Sequence, residues 1–149
     1  MIATHERSVP RDLMRRARMA RSALESVAGL PSLQGYCVAA SFLLQRVAAE
    51  INVQIVVAGG CAYRRIGRHM ARFGHAWCEL GDFRIDLTAT QFWRTPKVYV
   101  TPVGDLRYGA PFARDEAVWQ MATGADVARE RLLRAYDAYL TLERKNRRD

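Results

Sequence analysis

The stretch that decides the fold runs from Gly74 to Phe92 and reads GHAWCELGDFRIDLTATQF. Two of its segments, residues 75–80 and 83–88, are rich in aromatic and β-branched side chains, which favour strands. Between them stands Gly81-Asp82, a dipeptide typical of the two-residue loop of a tight hairpin. The sequence therefore predicts two antiparallel strands joined at this loop.

The loop also sets the register, because it places Leu80 opposite Phe83 and continues pair by pair to His75 opposite Thr88. Directly opposed residues share a face of the sheet. On one predicted face His75 lies diagonal to Asp86, and an imidazole and a carboxylate can close a diagonal gap of roughly 7–8 Å. The apolar face holds Ala76, Cys78, Leu80, Phe83, Ile85 and Leu87, and the polar face holds His75, Trp77, Glu79, Arg84, Asp86 and Thr88. The hairpin thus predicts a histidine that is oriented by a carboxylate.

The nucleophile that such a pair requires is predicted upstream, at Cys37. A helical pattern with few charges runs from about Tyr36 to Glu50, is apolar over most of its circumference and should be buried centrally. Cys37 falls in the first turn, where unpaired amide groups and the helix dipole stabilise a thiolate. The same amides, helped by Gln34 as a side-chain donor, can hold an oxyanion, and Gly35 lets a substrate approach closely.

The other elements follow from periodicity and turn residues. We expect helices over Pro10–Ala28, Arg114–Ala122 and Asp126–Lys145, strands over Val53–Val57 (ended by Gly59-Gly60) and Lys97–Thr101, a loose arm over residues 1–9, loops over 31–35 and 102–111, and fraying of the last few residues. Residues 61–73 leave two options open, a strand with a loop or an exposed lid. Together these elements predict one α+β domain over residues 1–149. In it a central buried helix with a cysteine at its N-terminus packs on an antiparallel sheet, flanked by N- and C-terminal helices.

Composition narrows the class of protein. A length of 149 residues suits one domain, and the hydrophobic half of the residues suffices for a core. We expect a cytoplasmic location, because neither a membrane span nor a signal peptide is visible and three widely spaced cysteines favour a reducing compartment. The formal net charge of +8 comes mainly from arginine and favours acidic partners.

Each candidate residue has an ordinary structural alternative. A cysteine at the start of an apolar helix is usually a small hydrophobe, a lone histidine is usually just hydrogen-bonded, and Asp86 alone can pair with Arg84. Their combination favours catalysis, because the helix-start cysteine and the hairpin geometry are independent signals. Cys61 and Cys78 are predicted to be structural.

Two other kinds of site have weaker support in the sequence. A zinc site built from Cys61, His69, His75 or Cys78 lacks any C-x-x-C or H-x-x-x-H spacing, so we expect no metal and no cofactor. The basic stretch Arg64–Arg72 is either a solvated face or a surface for phosphates or an acidic peptide. It matches no nucleic-acid-binding signature.

The combined motifs resemble a known family. Gly35-x-Cys37 at a helix start, His75-x-Trp77 in a strand and Asp86-Leu87-Thr88 in the next strand resemble the transglutaminase-like branch of the papain-like cysteine enzymes, a branch that includes the leader peptidases of lasso-peptide pathways. The longer D-L-T-x-x-Q-F segment, which ends at Phe92, is similar to that of small bacterial proteins with the same layout. The resemblance covers about residues 34–93, and the residue after Cys37 is valine, not the tryptophan of the G-x-C-W form of many transglutaminases.

The resemblance implies Cys37 as nucleophile, His75 as base and Asp86 as orienting residue, with Trp77 and Gln91 as neighbours at the substrate site. The expected function is that of a cysteine hydrolase or acyltransferase that acts through a thioester on an amide of a protein or peptide, with an acidic substrate as one option. The alternative is a binding module without turnover, which uses its arginine-rich surfaces to hold an acidic protein or a nucleic acid.

Overall fold

A computed structural model describes residues 5–30 and 33–148 of the chain. Residues 1–4 of the expected arm, residues 31 and 32 of the expected loop, and the final residue lie outside this description. Residues Glu6–Ser8 form a single 3-10 turn. The described part folds as a mixed α+β structure with a five-stranded antiparallel sheet and four α-helices.

The elements occur in the order α1 (Arg11–Ala28), α2 (Cys37–Ala49), β1 (Val56–Ile66), β2 (His69–Leu80), β3 (Phe83–Asp86), β4 (Tyr99–Pro102), β5 (Ala113–Arg114), α3 (Glu116–Met121) and α4 (Ala125–Arg148). The strand order in the sheet is β4-β3-β2-β1-β5, and all pairs are antiparallel. Helices α1 and α4 pack on each other and on α2, and α2 packs on the sheet. In the described residues no helix combines the length and the apolarity that crossing a bilayer requires.

Helix α2 forms the centre of the core, as its sequence predicts. Leu43, Leu44 and Val47 on it are fully buried, because the helix contacts the sheet on one side and two helices on the others. It begins at Cys37 and ends at Ala49. The predicted position of the cysteine in its first turn is therefore confirmed.

The predicted hairpin register is confirmed next to its turn. Cys78, Glu79 and Leu80 pair with Ile85, Arg84 and Phe83 around the turn at Gly81-Asp82. The β2–β3 ladder ends there, earlier than expected, and β3 ends at Asp86. One carboxylate oxygen of Asp86 accepts the backbone N–H of Thr88, which turns the chain out of the strand.

The predicted end of the preceding strand at Gly59-Gly60 is wrong. Strand β1 starts later, at Val56, and continues through both glycines to Ile66. The reason is close packing, because a Cβ on Gly60 would lie 2.8 Å from the Trp77 ring. The ambiguous residues 61–73 therefore form the distal half of a long β1–β2 hairpin, with its turn at Gly67-Arg68.

The later elements differ from prediction mainly at their ends. The expected strand Lys97–Thr101 is β4 (Tyr99–Pro102), and the expected helix from Arg114 begins at Glu116, because Arg114 pairs with Ala58 in the sheet. Helix α4 continues to Arg148, further than expected; Glu143 of its last turns pairs with Arg147 and Arg16. Residues 102–111 are largely loop, as expected.

Candidate active site

Cys37 lies where helix α2 meets two clefts. It is the first residue of the helix, so the amide groups of its turn have no partner within the helix. Its side chain is half-buried and lines a cleft of about 520 Å³ and a smaller one of about 350 Å³. The thiol is thus both accessible to a ligand and held against a positive helix end.

His75 and Asp86 meet in the buried layer beside this cysteine. The His75 Nε2 and the Asp86 Oδ2 are 2.7 Å apart, and both side chains are almost fully buried. His75 lines the larger cleft together with Cys37. Its Nδ1 makes no hydrogen bond within the described residues. Because Asp86 binds Nε2, Nδ1 is the ring nitrogen that is left to exchange a proton with the Cys37 thiol.

The Asp86 carboxylate is held by four donors. Its Oδ2 binds His75 and accepts the Tyr108 hydroxyl at 2.7 Å, and its Oδ1 accepts the Thr88 N–H at 2.9 Å and the Thr88 hydroxyl at 3.3 Å. Burial alone would raise the pKa of this carboxyl, but the His75 charge and these hydrogen bonds lower it below its usual value. Asp86 is therefore an ionised and rotationally fixed partner for the imidazole.

The same electrostatic environment shifts the pKa of the His75 imidazole. Burial favours the neutral ring and lowers the pKa of His75, yet the Asp86 charge, its hydrogen bond and the neighbouring Cys37 together raise that pKa to about 10. A histidine in this state can take a thiol proton and keep it as an imidazolium at neutral pH. The raised pKa therefore favours the imidazolium form of His75 at neutral pH.

Aromatic rings surround the imidazole. The Phe92 ring stands edge-on to it, with ring centroids 4.9 Å apart and planes at 85°. The Trp77 and Tyr108 rings lie 5.8 Å and 6.1 Å from it. These rings limit access of water to the His75–Asp86 hydrogen bond, which strengthens it.

The predicted oxyanion and substrate residues occupy the smaller cleft, with one exception. Gln34, Gly35 and Gln91 line it together with Cys37. Gln34 is exposed, whereas the Gln91 Nε2 is buried and has no hydrogen-bond partner in the described chain. An unused donor beside a thiol can hydrogen-bond to an oxyanion or an amide carbonyl.

Trp77 is the exception. It is fully buried and lines neither of these clefts. Its ring packs against Tyr108 at 5.0 Å, with Ala58 in the same small cluster, and Arg84 lies over it. Trp77 therefore supports the site from behind, and the structure does not bring it to the position where a substrate would lie.

Arg131 fixes the loop before Cys37. The Arg131 guanidinium of α4 donates to the Gly35 carbonyl at 2.7 Å and lies 4.3 Å from the centre of the Tyr36 ring. Gly35 has φ +82°, a conformation that favours glycine, and the preceding Leu33 is fully buried with φ +55°. The turn that presents Cys37 is therefore anchored on both sides.

The larger cleft offers an apolar surface to a ligand. Its walls come from the start of α2, from β1 and β2, and from the α3–α4 region. Phe112, Met121 and Val127 contribute exposed apolar side chains to it, and Arg131 adds a cation. An apolar group flanked by a polar backbone fits this cleft better than a highly charged one.

The other cysteines lie outside the site. Cys78 is buried, its Sγ donates to the Ser41 carbonyl at 3.2 Å, and burial raises the pKa of its thiol well above the usual value. Cys61 is half-buried and lines a separate surface depression. Across residues 5–30 and 33–148, no group of three or more histidine, cysteine or carboxylate side chains is arranged to hold a metal ion.

Sequence reasoning missed three residues of the site. Phe92 is the last residue of the D-L-T-x-x-Q-F segment, so the motif could have indicated that it lies close to the site. Tyr108 and Arg131 reach the site from a loop and a helix far along the chain, and no local pattern marks either of them.

Comparison of the chain with protein-family models, with curated proteins and with solved structures finds no match.

Proposed function

We propose that the protein is a cysteine-dependent hydrolase or acyltransferase that acts on an amide bond, with Cys37 as nucleophile, His75 as general base and acid, and Asp86 as orienting residue. One observation carries the proposal: the 2.7 Å bond between His75 Nε2 and Asp86, buried beside a half-exposed thiol at a helix start. A buried His–Asp pair with a free second nitrogen and a neighbouring thiol is the arrangement that nucleophilic catalysis needs.

In the proposed reaction the Cys37 proton passes to His75, and the sulfur attacks the carbonyl carbon of the substrate amide. A C–S bond forms and the carbonyl electron pair moves onto oxygen. When the tetrahedral intermediate collapses, the C–N bond breaks, and the leaving nitrogen takes the proton from His75. A thioester remains on Cys37. Water that loses a proton to His75 then attacks this thioester, releasing a carboxylic acid and restoring the thiol; an amine in place of water gives acyl transfer.

The developing oxyanion lies within reach of the first turn of α2 in this scheme. The Cys37 backbone N–H is one donor, and the unpartnered Gln91 Nε2 is the best supported second donor. Gln34 lines the same cleft and is the alternative donor. Replacing each glutamine by leucine and measuring turnover distinguishes the two.

The proposed architecture is a transglutaminase-like, papain-like core. Its support is the helix-start cysteine of α2, the histidine of β2 and the aspartate at the end of β3, in that chain order. A protein or peptide is the proposed substrate, because the clefts beside Cys37 are open and are both lined by residues of β2, within 73–76.

The proposal is tested by exposing the purified protein to a complex pool of peptides and an added primary amine. Mass spectrometry then distinguishes new peptide termini, conversion of glutamine to glutamate, and amine incorporation, which report a peptidase, an amidase and an acyltransferase. We expect one of these products with the wild type and with Cys61→Ala, and none with Cys37→Ala or His75→Gln. Products that survive Cys37→Ala contradict the proposal.

A second candidate function, binding without turnover, is favoured by one observation. Arg65, Arg68 and Arg72 are exposed, and none of them forms an ion pair with a described residue. Such a surface suits an acidic protein or a nucleic acid. Binding that falls with added salt, survives Cys37→Ala and is accompanied by no product would support this function instead.

A further inference from the structure

The distal half of the β1–β2 hairpin, residues 61–74, has an unusual combination of charge and exposure. We call it the basic arm. Residues 51–78 contain no aspartate or glutamate, and Arg64, Arg65, Arg68 and Arg72 all lie within the arm. Met70 and Ile66 near its tip are 60% and 49% exposed. The arm thus presents cations and apolar side chains together.

One edge of this arm is covered by the chain itself. Phe112 N–H donates to the Gly59 carbonyl at 3.0 Å, Gly109 N–H donates to the Cys61 carbonyl at 2.8 Å, and Tyr63 N–H donates to the Arg107 carbonyl at 2.8 Å. In an antiparallel strand both backbone groups of a residue point to the same side. Odd-numbered residues of β1 therefore face the covering loop, and even-numbered residues face β2.

The register then identifies the groups on the opposite edge. Gly60, Ala62 and Arg64 face β2, and their partners there are His75, Phe73 and Ala71. These partners point their own backbone groups at β1, so the residues between them point away from it. The backbone groups that point away from β1 are those of Met70, Arg72 and Gly74.

In the described chain no strand pairs with this second edge of β2 before Cys78. The ladder to β3 starts only at Cys78, and no backbone hydrogen bond from another described segment reaches Met70, Arg72 or Gly74. An uncovered edge of this kind is a template for an added strand. Its occupant is therefore expected to be a polypeptide backbone in extended form.

The open edge leads directly to the nucleophile. Gly74 precedes His75 in β2 and lines both clefts that contain Cys37. A Cβ on Gly74 would meet nothing within 4 Å, so the space beside it is open. A chain paired with Arg72 and Gly74 would pass into the cleft at the thiol.

We propose that an extended, acidic peptide segment binds as an added strand along Met70, Arg72 and Gly74 of β2, which directs its amide into the cleft at Cys37. Alternate side chains of the segment share a face with Arg72 on one side of the sheet. On the other side they share a face with Arg64, which lies across Ala71 on β1 and also donates to the Gln91 carbonyl. Cleavage or acyl transfer of this segment rests on the function proposed above, but its binding does not.

A peptide fits these observations better than a nucleic acid. Phosphates require only the cations, whereas the outward N–H and C=O groups of a strand edge are complementary to another peptide backbone. The exposed Met70 and Ile66 also suit apolar side chains of a peptide more than phosphates.

The test uses the full chain with Cys37→Ala, which removes turnover. The probe is a fluorescent peptide of about twelve residues in which glutamate alternates with valine or threonine, long enough to span the arm. Its controls are the same peptide with glutamine for glutamate, the same peptide with methyl groups on its central backbone amides, and a single-stranded oligonucleotide. Affinity is measured by fluorescence anisotropy and backbone protection by hydrogen exchange.

We expect the acidic peptide to bind, and either control peptide to bind at least about tenfold more weakly. Hydrogen exchange should slow at the Met70, Arg72 and Gly74 amides, with little change at the already paired Ala71 and Phe73. Met70→Pro, which removes one edge N–H, should weaken binding about tenfold, whereas Met70→Ala should change it less than about twofold.

Absence of binding up to about 1 mM peptide, equal binding of the methylated peptide, or unchanged exchange at the three edge amides overturns the proposal. Tighter binding of the oligonucleotide with displacement of the peptide assigns the arm to nucleic acid and overturns it too. Because turnover is absent from the assay, edge binding by a chain that proves inactive leaves this inference standing and refutes only the enzymatic proposal. Catalysis without edge binding does the reverse.

Discussion

The Tyr108 hydroxyl donates a 2.7 Å hydrogen bond to the Asp86 oxygen that also binds His75. Both side chains are buried, and the hydrogen bond lowers the pKa of Asp86. Tyr108 thereby acts on the imidazole through the carboxylate, as a positioning residue. His75, Asp86 and Tyr108 thus form one hydrogen-bonded chain of side chains, and Cys37 lines the same cleft as His75.

Removing the Tyr108 hydroxyl should therefore perturb the His75–Asp86 pair while leaving both of these side chains in the site. We expect Tyr108→Phe to lower the free energy of unfolding by about 1.5–3 kcal/mol, the range for a hydrogen bond to a charged group. The alkylation rate of Cys37 at neutral pH should fall, but less than in Asp86→Asn. Urea denaturation and iodoacetamide kinetics measure the two effects. Tyr99→Phe is the matched control, since that hydroxyl contacts Asp105; equal effects of both substitutions on alkylation would refute the role of Tyr108.

The buried pair should leave a signature in the dependence of stability on pH. The folded pKa of His75 is raised to about 10, so its contribution is fully present below the unfolded value of about 6.5 and is lost as the pH rises through 10. The pKa of Asp86 is lowered, so its contribution is present above its unfolded value and is lost as the pH falls through the folded one.

The measurement for this prediction is urea denaturation at pH 6 and pH 9 for the wild type and His75→Gln. The free energy of unfolding of the wild type should fall between these two pH values by at least about 1.4 kcal/mol more than that of the variant, the equivalent of one pKa unit. Parallel changes in both proteins would mean that the imidazole is not charged in the folded state.

Gly60 should tolerate no side chain. A Cβ there would lie 2.8 Å from Trp77 and 3.3 Å from the Ala110 carbonyl oxygen. We expect Gly60→Ala to lower the free energy of unfolding by about 1–3 kcal/mol, as overpacking does. Gly74→Ala is the control in the neighbouring strand, because its Cβ would meet nothing within 4 Å, and it should change stability by less than about 0.5 kcal/mol. A neutral Gly60→Ala would contradict the packing of Trp77 against β1.

The Arg131 clamp on the loop before Cys37 should affect reactivity more than stability. Its guanidinium holds the Gly35 carbonyl at 2.7 Å at the protein surface. In Arg131→Gln the turn is released, so we expect Cys37 alkylation and turnover to change severalfold with a melting temperature close to that of the wild type. Arg134→Gln, on an exposed position of the same helix, should alter neither. If Arg131→Gln and Arg134→Gln behave alike, the clamp has no role in presenting the thiol.

Local sequence patterns predicted most of the fold and the central residues of the site. Apolar periodicity and a glycine at φ +66° define α1, a nearly uncharged run defines α2, and a two-residue loop fixes the β2–β3 register. The predicted register places His75 and Asp86 on one face as diagonal neighbours. Their side chains do meet there, although the ladder itself ends at Cys78 and Ile85.

The features that the sequence did not predict correctly depend on contacts between segments that are distant in the chain. Gly59-Gly60 resembled a strand end, yet Gly60 is required by Trp77 packed above the strand, and a Cβ on Gly59 would lie 3.3 Å from the Val118 side chain. Alternation correctly put Trp77 on the face of His75, but it contains no information that the loop bearing Tyr108 covers that face. Tyr108 and Arg131 were missed for the same reason, since tertiary packing brings them to the site.

The central claim is that His75 activates Cys37. It is tested most directly by the rate at which iodoacetamide alkylates each cysteine at about pH 6, where an ordinary thiol is almost wholly protonated. The wild type should be alkylated at Cys37 in preference to Cys61 and Cys78, and His75→Gln should slow alkylation of Cys37 at least about tenfold while leaving Cys61 unchanged. Uniform alkylation of the three cysteines, or a Cys37 rate that is unaffected by His75→Gln, would contradict the claim.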